Sequence, residues 1–345
     1  MSTITTPVAP LIACSEFYLS NIPQISISPG APALNMISPT TTFKLKTIGT
    51  SRVNDMRAAG ISMQILSHVP ISATPQTCAR LNDALNAAIF TSPDRFAALA
   101  LLSVDDPREA ARELQRCVTR FRFVGGVLGL VKGLDGGAFE ELWTQAERHG
   151  VPIVLREVWP TKEQAQDYTT ASLAPALQGP ILTSLYAAYT SSPLPIVHLY
   201  ASGVFDRHPN LRIVLARTGI TLLSLVPRIQ SLFASFNNTQ SLAHVFKPNR
   251  SFLDVWQHNF YIVAEDAMDN ISMRALLEHM PVDRVLYGTG YPFEDKGRAV
   301  MTEMRDSGVL GKEEWQKVAW GNAERLFRLK GGRGDRRVVN RSSMY

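Results

Sequence analysis

Charged side chains stand at the ends of several short apolar runs along the sequence. Arg156 and Glu157 end one run, Arg217 ends another, and Glu265 and Asp266 close a third. A guanidinium group can hold a carboxylate, phenolate or enolate through two hydrogen bonds, and it can stabilise negative charge that develops during a reaction. A carboxyl group in an apolar pocket can act as a general acid or base. The spacing therefore predicts a site that binds and transforms a small anion.

A plainer interpretation exists for each of these residues. Each arginine can simply pair with a neighbouring carboxylate such as Glu157 or Glu265, and a single carboxylate is more often an ion-pair partner than a proton carrier. We favour a functional role for the arginines, because two buried cations without a purpose would be costly. Both interpretations can hold at once.

Further candidates follow other apolar runs. His68 follows the second run and is a candidate acid or base, although a lone histidine is more often a bystander. The predicted catalytic set is thus Arg156, Arg217, Glu157, Glu265 and His68. Charged and aromatic residues at the same ends are predicted to contact the substrate, namely Glu16, Phe17, Trp159, Asp266, Tyr291 and Glu294.

The elements that must position these residues are eight apolar runs that alternate with helical patterns. The predicted strands span residues 10–19, 61–67, 96–104, 124–130, 151–157, 211–217, 259–265 and 284–290. This alternation is typical of parallel strands joined by right-handed crossovers, so we predict an α/β fold, a single (β/α)8 TIM barrel over residues 1–329. The carboxyl ends of the strands would then meet on one face.

Two segments do not fit the alternation. Residues 21–51 are rich in proline, serine and threonine, and we predict an irregular insertion after the first strand. Residues 330–345 are basic and rich in glycine and serine, which indicates a disordered tail.

Composition narrows the function classes. The chain has 345 residues and a net charge of +5, and its three cysteines have no pairing spacing, which favours a reducing compartment. No apolar run reaches the roughly 18 residues of a membrane span, and no secretory signal is recognisable. The basic tail lacks the aromatic residues of a nucleic-acid surface. We predict a cytoplasmic protein that acts on a small molecule, without nucleic acid or membrane as a partner.

Several motifs resemble one family. They are Asn82–Asp83, Ser92–Phe96, Ser202–Leu211, Tyr291–Glu294 and Gly321–Phe327. Together they resemble the amidohydrolase-2 family, in its branch of 2,3-dihydroxybenzoate, γ-resorcylate and aminocarboxymuconate-semialdehyde decarboxylases. The resemblance implies a barrel, decarboxylation of an aromatic acid at a metal ion, and a homodimer.

The chain departs from the family at the metal site. Ser15 and Phe17 stand near the ligand positions of the first strand. In addition, Arg156 takes the place of a metal histidine, Arg217 that of a catalytic histidine, and Gly290 that of a metal aspartate. A catalytic zinc site needs about three protein ligands, and a guanidinium offers no lone pair and repels a cation. Glu16 alone cannot hold an ion. Cys14 could add a ligand, because strand alternation puts it on the same face as Glu16, but two ligands are still fewer than three. We predict no metal and no other cofactor.

Two hypotheses follow. The first is a metal-independent lyase, or a lyase-like cyclase or isomerase, for a small anionic aromatic or polyketide-derived substrate, with arginines in place of the metal. The second is a catalytically inactive relative that binds a ligand or acts as a regulatory partner subunit.

Overall fold

The computed structural model describes residues 10–22, 33–166, 192–237, 248–294 and 296–329, together with residues 174, 177, 181 and 185. The predicted tail, residues 330–345, lies outside the described residues.

The strands form one parallel sheet in chain order, and the predicted (β/α)8 barrel is confirmed. They are β1 Ile12–Tyr18, β2 Met63–His68, β3 Phe96–Leu101, β4 Gly125–Gly129, β5 Ile153–Arg156, β6 Ile213–Leu215, β7 Phe260–Val263 and β8 Val285–Leu286. The first strand meets the segment after β8 where the Cys14 N–H donates to the Tyr287 carbonyl at 2.8 Å.

Neighbouring residues of a strand belong to two different apolar clusters. Val127, Val154 and Val214 pack with other strand residues, whereas the leucines that follow each of them pack with the helices. Successive side chains of a strand point to opposite faces, and both faces of a parallel sheet are covered, so the strands are apolar throughout. Polar side chains that must reach solvent or a ligand are therefore expected where the strands end.

Helices surround the sheet, and several begin at a residue whose side chain accepts from the first turn, including Thr74, Asp106 and Asp269. They span Pro39–Lys46, Thr50–Ala58, Pro75–Ile89, Pro107–Arg116, Glu140–His149, Lys162–Gln166, Leu194–Ala201, Val204–Arg207, Arg217–Leu223, Val226–Asn237, Phe252–Asn259, Asn270–His279, Arg298–Asp306, Lys312–Gln316 and Asn322–Phe327. In the described part of the chain, no helix has the length and apolar character that crossing a membrane requires.

The insertion after β1 is more regular than predicted. Residues Pro39–Lys46 form a helix, and the Ser38 hydroxyl caps it by accepting from the Thr41 N–H at 3.1 Å. The prediction of an irregular insertion was therefore wrong for this part. The helix escaped notice because its polar, threonine-rich sequence shows no apolar period, although serine followed by proline is a start signal.

Most strands are shorter than predicted. The structure ends β5 at Arg156, β6 at Leu215 and β7 at Val263. Glu157, Arg217 and Glu265 therefore follow their strands instead of lying in them. This places their side chains at the carboxyl end of the barrel, where TIM-barrel enzymes build their active sites.

Candidate active site

A small cavity lies at the carboxyl end of the barrel. Its lining comprises Phe17, Pro70, Arg156, Glu157, Trp159, Arg217, Glu265 and Phe293. Its volume is about 40 Å³, and one water molecule needs about 10–15 Å³ on a comparable measure. Six of the predicted site residues, from four separate stretches of the chain, thus meet around one cavity.

Arg156 is buried beside an acid. Its Nη2 lies 3.1 Å from Glu265 Oε1 and 3.3 Å from Oε2, and both side chains are at most 3% exposed. The guanidinium carbon also lies 4.1 Å from the centroid of the Phe17 ring. Opposite charge and the ring face both offset the cost of burying the cation. The pair fixes a positive charge in the wall of the cavity.

Arg217 joins a wider ion network. It begins the helix Arg217–Leu223, and its Nε lies 3.0 Å from Asp266 Oδ2 and 3.8 Å from Glu265 Oε1. Its Nη2 lies 3.9 Å from Glu294 Oε1, while Lys296 Nζ lies 2.6 Å from the other oxygen of that carboxylate. Lys296, which the sequence analysis did not single out, also donates to the Glu265 carbonyl.

The network has more acids than bases. Arg156, Arg217 and Lys296 face Glu157, Glu265, Asp266 and Glu294, so one negative charge is in excess when all are ionised. Burial, opposed by Arg217, raises the pKa of Asp266 to about 6. A proton on Asp266 would neutralise the cluster. Binding of an anion in the cavity therefore favours uptake of this proton.

Glu157 is held at the beginning of a helix. Its Oε1 accepts from the Thr218 N–H at 2.7 Å and from the Thr218 hydroxyl. Thr218 lies in the first turn of the helix that Arg217 begins, where free backbone N–H groups favour a negative charge. The sequence favoured an arginine partner for Glu157, and it carries no signal for the contact with Thr218. One oxygen of Glu157 is thus fixed beside the cavity.

Three aromatic rings form the apolar wall. Phe293 lies edge-on to Phe17, with ring centroids 5.7 Å apart, and edge-on to Trp159 at 5.6 Å. Tyr291 was predicted for this wall, yet its hydroxyl donates to Asp55 at 2.9 Å and its ring lies under Arg52. A phenol seeks a polar partner, whereas the plain ring of Phe293 fills the apolar wall.

Glu16 and His68 lie away from the cavity lining. The Glu16 carboxylate accepts from the Thr289 N–H and hydroxyl, both at 2.8 Å, and from the Tyr291 N–H at 2.9 Å. His68 accepts from the Ser20 N–H at 3.1 Å through Nε2, and burial lowers its pKa to about 4. Both side chains hold segments together, and their predicted substrate and catalytic roles receive no support from these contacts.

Glu16 makes stability depend on pH. Burial raises the pKa of Glu16 from 4.5 to about 7. The folded state then binds a proton more tightly than the unfolded chain, so this contribution is complete below pH 4.5 and is lost as the pH rises through 7. We therefore compare the free energy of unfolding of the wild type with that of Glu16→Gln. The wild-type value minus the variant value should fall by about 2 kcal/mol between pH 5 and pH 7. Urea titrations at several pH values measure this difference. Parallel pH profiles for the two proteins would contradict it.

The donor set does not fit a metal ion. Phe17, Arg156 and Gly290, which the resemblance predicts at or near ligand positions of the family, have side chains without a lone pair for a cation. Among the described residues, no group of three or more histidine, cysteine, aspartate or glutamate side chains is arranged to hold an ion. The cationic centres of Arg156 and Arg217 lie in the cavity wall instead.

Comparisons with known proteins agree with the barrel. Decarboxylase orsB of Emericella nidulans is 30% identical over 332 residues, which are 93% of this chain and 97% of that protein. A gamma-resorcylate decarboxylase of Rhodococcus jostii is 31% identical over 265 residues, 72% of this chain and 76% of that protein.

Solved structures share the fold. The 2,6-dihydroxybenzoate decarboxylase from Rhizobium superposes with a TM-score of 0.72 at 26% identity, covering 94% of this chain and 100% of that chain. A dihydroxybenzoic acid decarboxylase from Polaromonas, solved with bound manganese, has a TM-score of 0.73 at 24% identity over 93% of this chain and 97% of that chain, a likeness that shows the fold alone. The sequence model of the family described as Amidohydrolase matches residues 49–329, and the chain therefore belongs to the amidohydrolase-2 family.

Proposed function

We propose that the protein is a metal-independent lyase that decarboxylates a small, hydroxylated aromatic acid. The observation that carries the proposal is the placement of Arg156 and Arg217 in one cavity beside three aromatic rings. Full-length relatives named as decarboxylases support the reaction type. The rings suit a planar substrate, and the guanidinium groups suit its carboxylate or phenolate oxygens.

The reaction needs one proton and a place for negative charge. A carboxyl group of the network gives its proton to the ring carbon that bears the carboxylate. The bond between that carbon and the carboxylate then breaks, its electron pair returns to the ring, and CO2 leaves. Glu157 and Glu265 line the cavity and can pass the proton, which Asp266 stores because its pKa is raised. Arg156 and Arg217 stabilise the substrate oxygens throughout.

The rival function is a catalytically inactive relative that binds a ligand or a partner subunit. The observation that favours it is the pairing of both arginines with carboxylates, which closes the cationic centres within the protein itself. A buried ion pair of this kind can serve the fold alone. A homodimer and a cytoplasmic location remain predictions from the sequence under either function.

Removal of metal ions with a chelator distinguishes a metal-independent lyase from a metal-dependent one. We expect the purified protein to convert 2,6-dihydroxybenzoate or a related hydroxybenzoate at the same rate before and after dialysis against EDTA. The physical reason is that guanidinium groups, which EDTA does not remove, supply the positive charge. CO2 release and elemental analysis of the same sample measure the effect.

Two outcomes would decide against this proposal. Loss of turnover on dialysis, restored by manganese or zinc, would show a metal-dependent enzyme. Saturable binding of hydroxybenzoates without any turnover would favour the inactive relative.

A further inference from the structure

A second and larger cavity lies at the opposite end of the barrel. Its volume is about 680 Å³, within the range of about 300–1,000 Å³ that is typical of small-molecule sites. Met63 and Phe96 begin β2 and β3, and Val124 precedes β4, so the cavity opens at the amino-terminal end of the strands. Nothing in the reaction proposed above uses this end of the molecule.

The lining combines cations with apolar rings. It contains Arg120, Arg122 and Arg328, the rings of Phe90, Phe96, Phe121 and Phe123, and no acidic side chain among the described residues. Phe90 is 66% exposed and presents apolar surface at the edge of the cavity. Among the described residues, neither Arg120 nor Arg122 forms a salt bridge, whereas Arg328 donates to the His149 carbonyl at 3.1 Å.

The backbone conformation of two of these arginines is unusual. Arg122 has φ 61° and Arg328 has φ 51°, and these are the two non-glycine residues with positive φ in the described part of the chain. Both follow the last turn of a helix, a position where glycine is the common residue because a side chain is disfavoured there. The sequence thus has arginine at two lining positions of the same cavity where the backbone favours glycine. A local preference that is broken in this way often marks a functional site.

Helix geometry alone explains only part of this arrangement. Cations near the end of a helix interact favourably with its free carbonyl groups, and Arg328 does so at His149. A lysine or arginine inside the last turn provides the same interaction without positive φ, as Arg120 already does in the turn before Arg122. The exposed Phe90 ring is not explained by helix ends.

We propose that this cavity binds an organic anion with an apolar body, with Arg120 and Arg122 around the anionic group and the phenylalanine rings around the rest. Guanidinium groups recognise carboxylates, sulfonates and phosphates through paired hydrogen bonds, and the rings bury an aromatic or aliphatic group. The site is distinct from the cavity of Arg156 and Arg217, which lies at the other end of the strands.

Fluorescence titration of the full chain with 1-anilinonaphthalene-8-sulfonate tests the proposal. We expect saturable binding to the wild type, and a Kd raised about tenfold or more in Arg120→Gln/Arg122→Gly, because two charge-assisted contacts are lost. The variant Arg122→Gly relieves the positive φ, so the melting temperature should stay the same or rise while binding weakens. This opposite behaviour separates a binding role from a structural one.

The matched control is Arg108→Gln/Arg112→Gln, which removes two arginines from a helix outside the cavity lining. Its Kd should equal that of the wild type. Octanoate should displace the dye, and inorganic phosphate, which has no apolar body, should do so at least tenfold less effectively. The proposal is overturned if the wild type shows no saturable binding, if the cavity variant binds as tightly as the control, or if phosphate displaces the dye as well as octanoate does.

Discussion

Arg156→Met is expected to destabilise the protein by about 3–5 kcal/mol, because it leaves the Glu265 carboxylate buried without its closest cation. The Arg156 Nη2 lies 3.1 Å from Glu265 Oε1, whereas Arg217 Nε is 3.8 Å from the same oxygen and compensates only in part. Methionine fills a similar volume, so the loss comes from charge and not from a cavity. Urea unfolding of the purified variant at pH 7 measures the effect.

Two further variants make the result specific. Arg156→Met/Glu265→Met removes both charges together, and its stability should return to within about 1–2 kcal/mol of the wild type, because the unpaired buried charge is gone. Arg207→Met breaks the Arg207–Glu140 pair, whose side chains are 43% and 36% exposed, and should cost at most about 1 kcal/mol. A loss in Arg156→Met no larger than in Arg207→Met would contradict the buried-pair interpretation.

The fold could be predicted from the sequence because its signals are local. Each strand is an apolar run, and several helices have their own start or stop signal, so eight alternations suffice to predict a barrel. The closing contact between Cys14 and Tyr287 follows from the number of strands and needs no motif. The helix Pro39–Lys46 was missed because it packs little apolar surface and so leaves no periodic pattern.

The site could be predicted only in part. The alternation of residues along a strand predicts which way each side chain points only while the strand is regular. The pairing of β1 with β2 shifts register between Ala13 and Glu16. Strict alternation would have kept Glu16 on the same face as Cys14, yet Glu16 pairs with Leu66 and bonds to Thr289, while Phe17 lines the cavity. A bulge of this kind leaves no clear signal in a single sequence.

The contacts of Thr218, Phe293 and Lys296 could not be predicted for a related reason. These residues follow strand ends, where the chain turns and the two-residue period no longer holds. Phe293 stands two residues after Tyr291, and only the tertiary structure shows which ring faces the cavity. The one usable signal was chemical: a phenol needs a hydrogen-bond partner, and Asp55 supplies it.

Arg217→Met should lower kcat/KM for the hydroxybenzoate turned over by the wild type by about 10²–10³-fold, which is the usual effect of removing one preorganised donor that stabilises developing negative charge. Arg217 is placed for this role because it lines the cavity at the beginning of a helix, next to the Asp266 carboxyl whose pKa is raised to about 6. Arg217→Lys keeps the charge and loses the planar pair of donors, so its rate should lie between the two. Initial rates of CO2 release, taken below the melting temperature of each variant, measure these effects.

Arg217→Met/Asp266→Asn separates catalysis by the guanidinium from simple charge balance. Both proteins in this comparison lack the cation, but the double variant also lacks the carboxylate that the cation lies against, Nε to Oδ2 at 3.0 Å. If Arg217 acts on the substrate, or if Asp266 supplies the proton, the double variant stays at least as slow as Arg217→Met, even though its stability recovers. If Arg217 only neutralises Asp266, the rate returns with the stability, and the assignment of Arg217 to the reacting groups fails. The cavity would then hold its anion through Arg156 alone, which is already paired with Glu265.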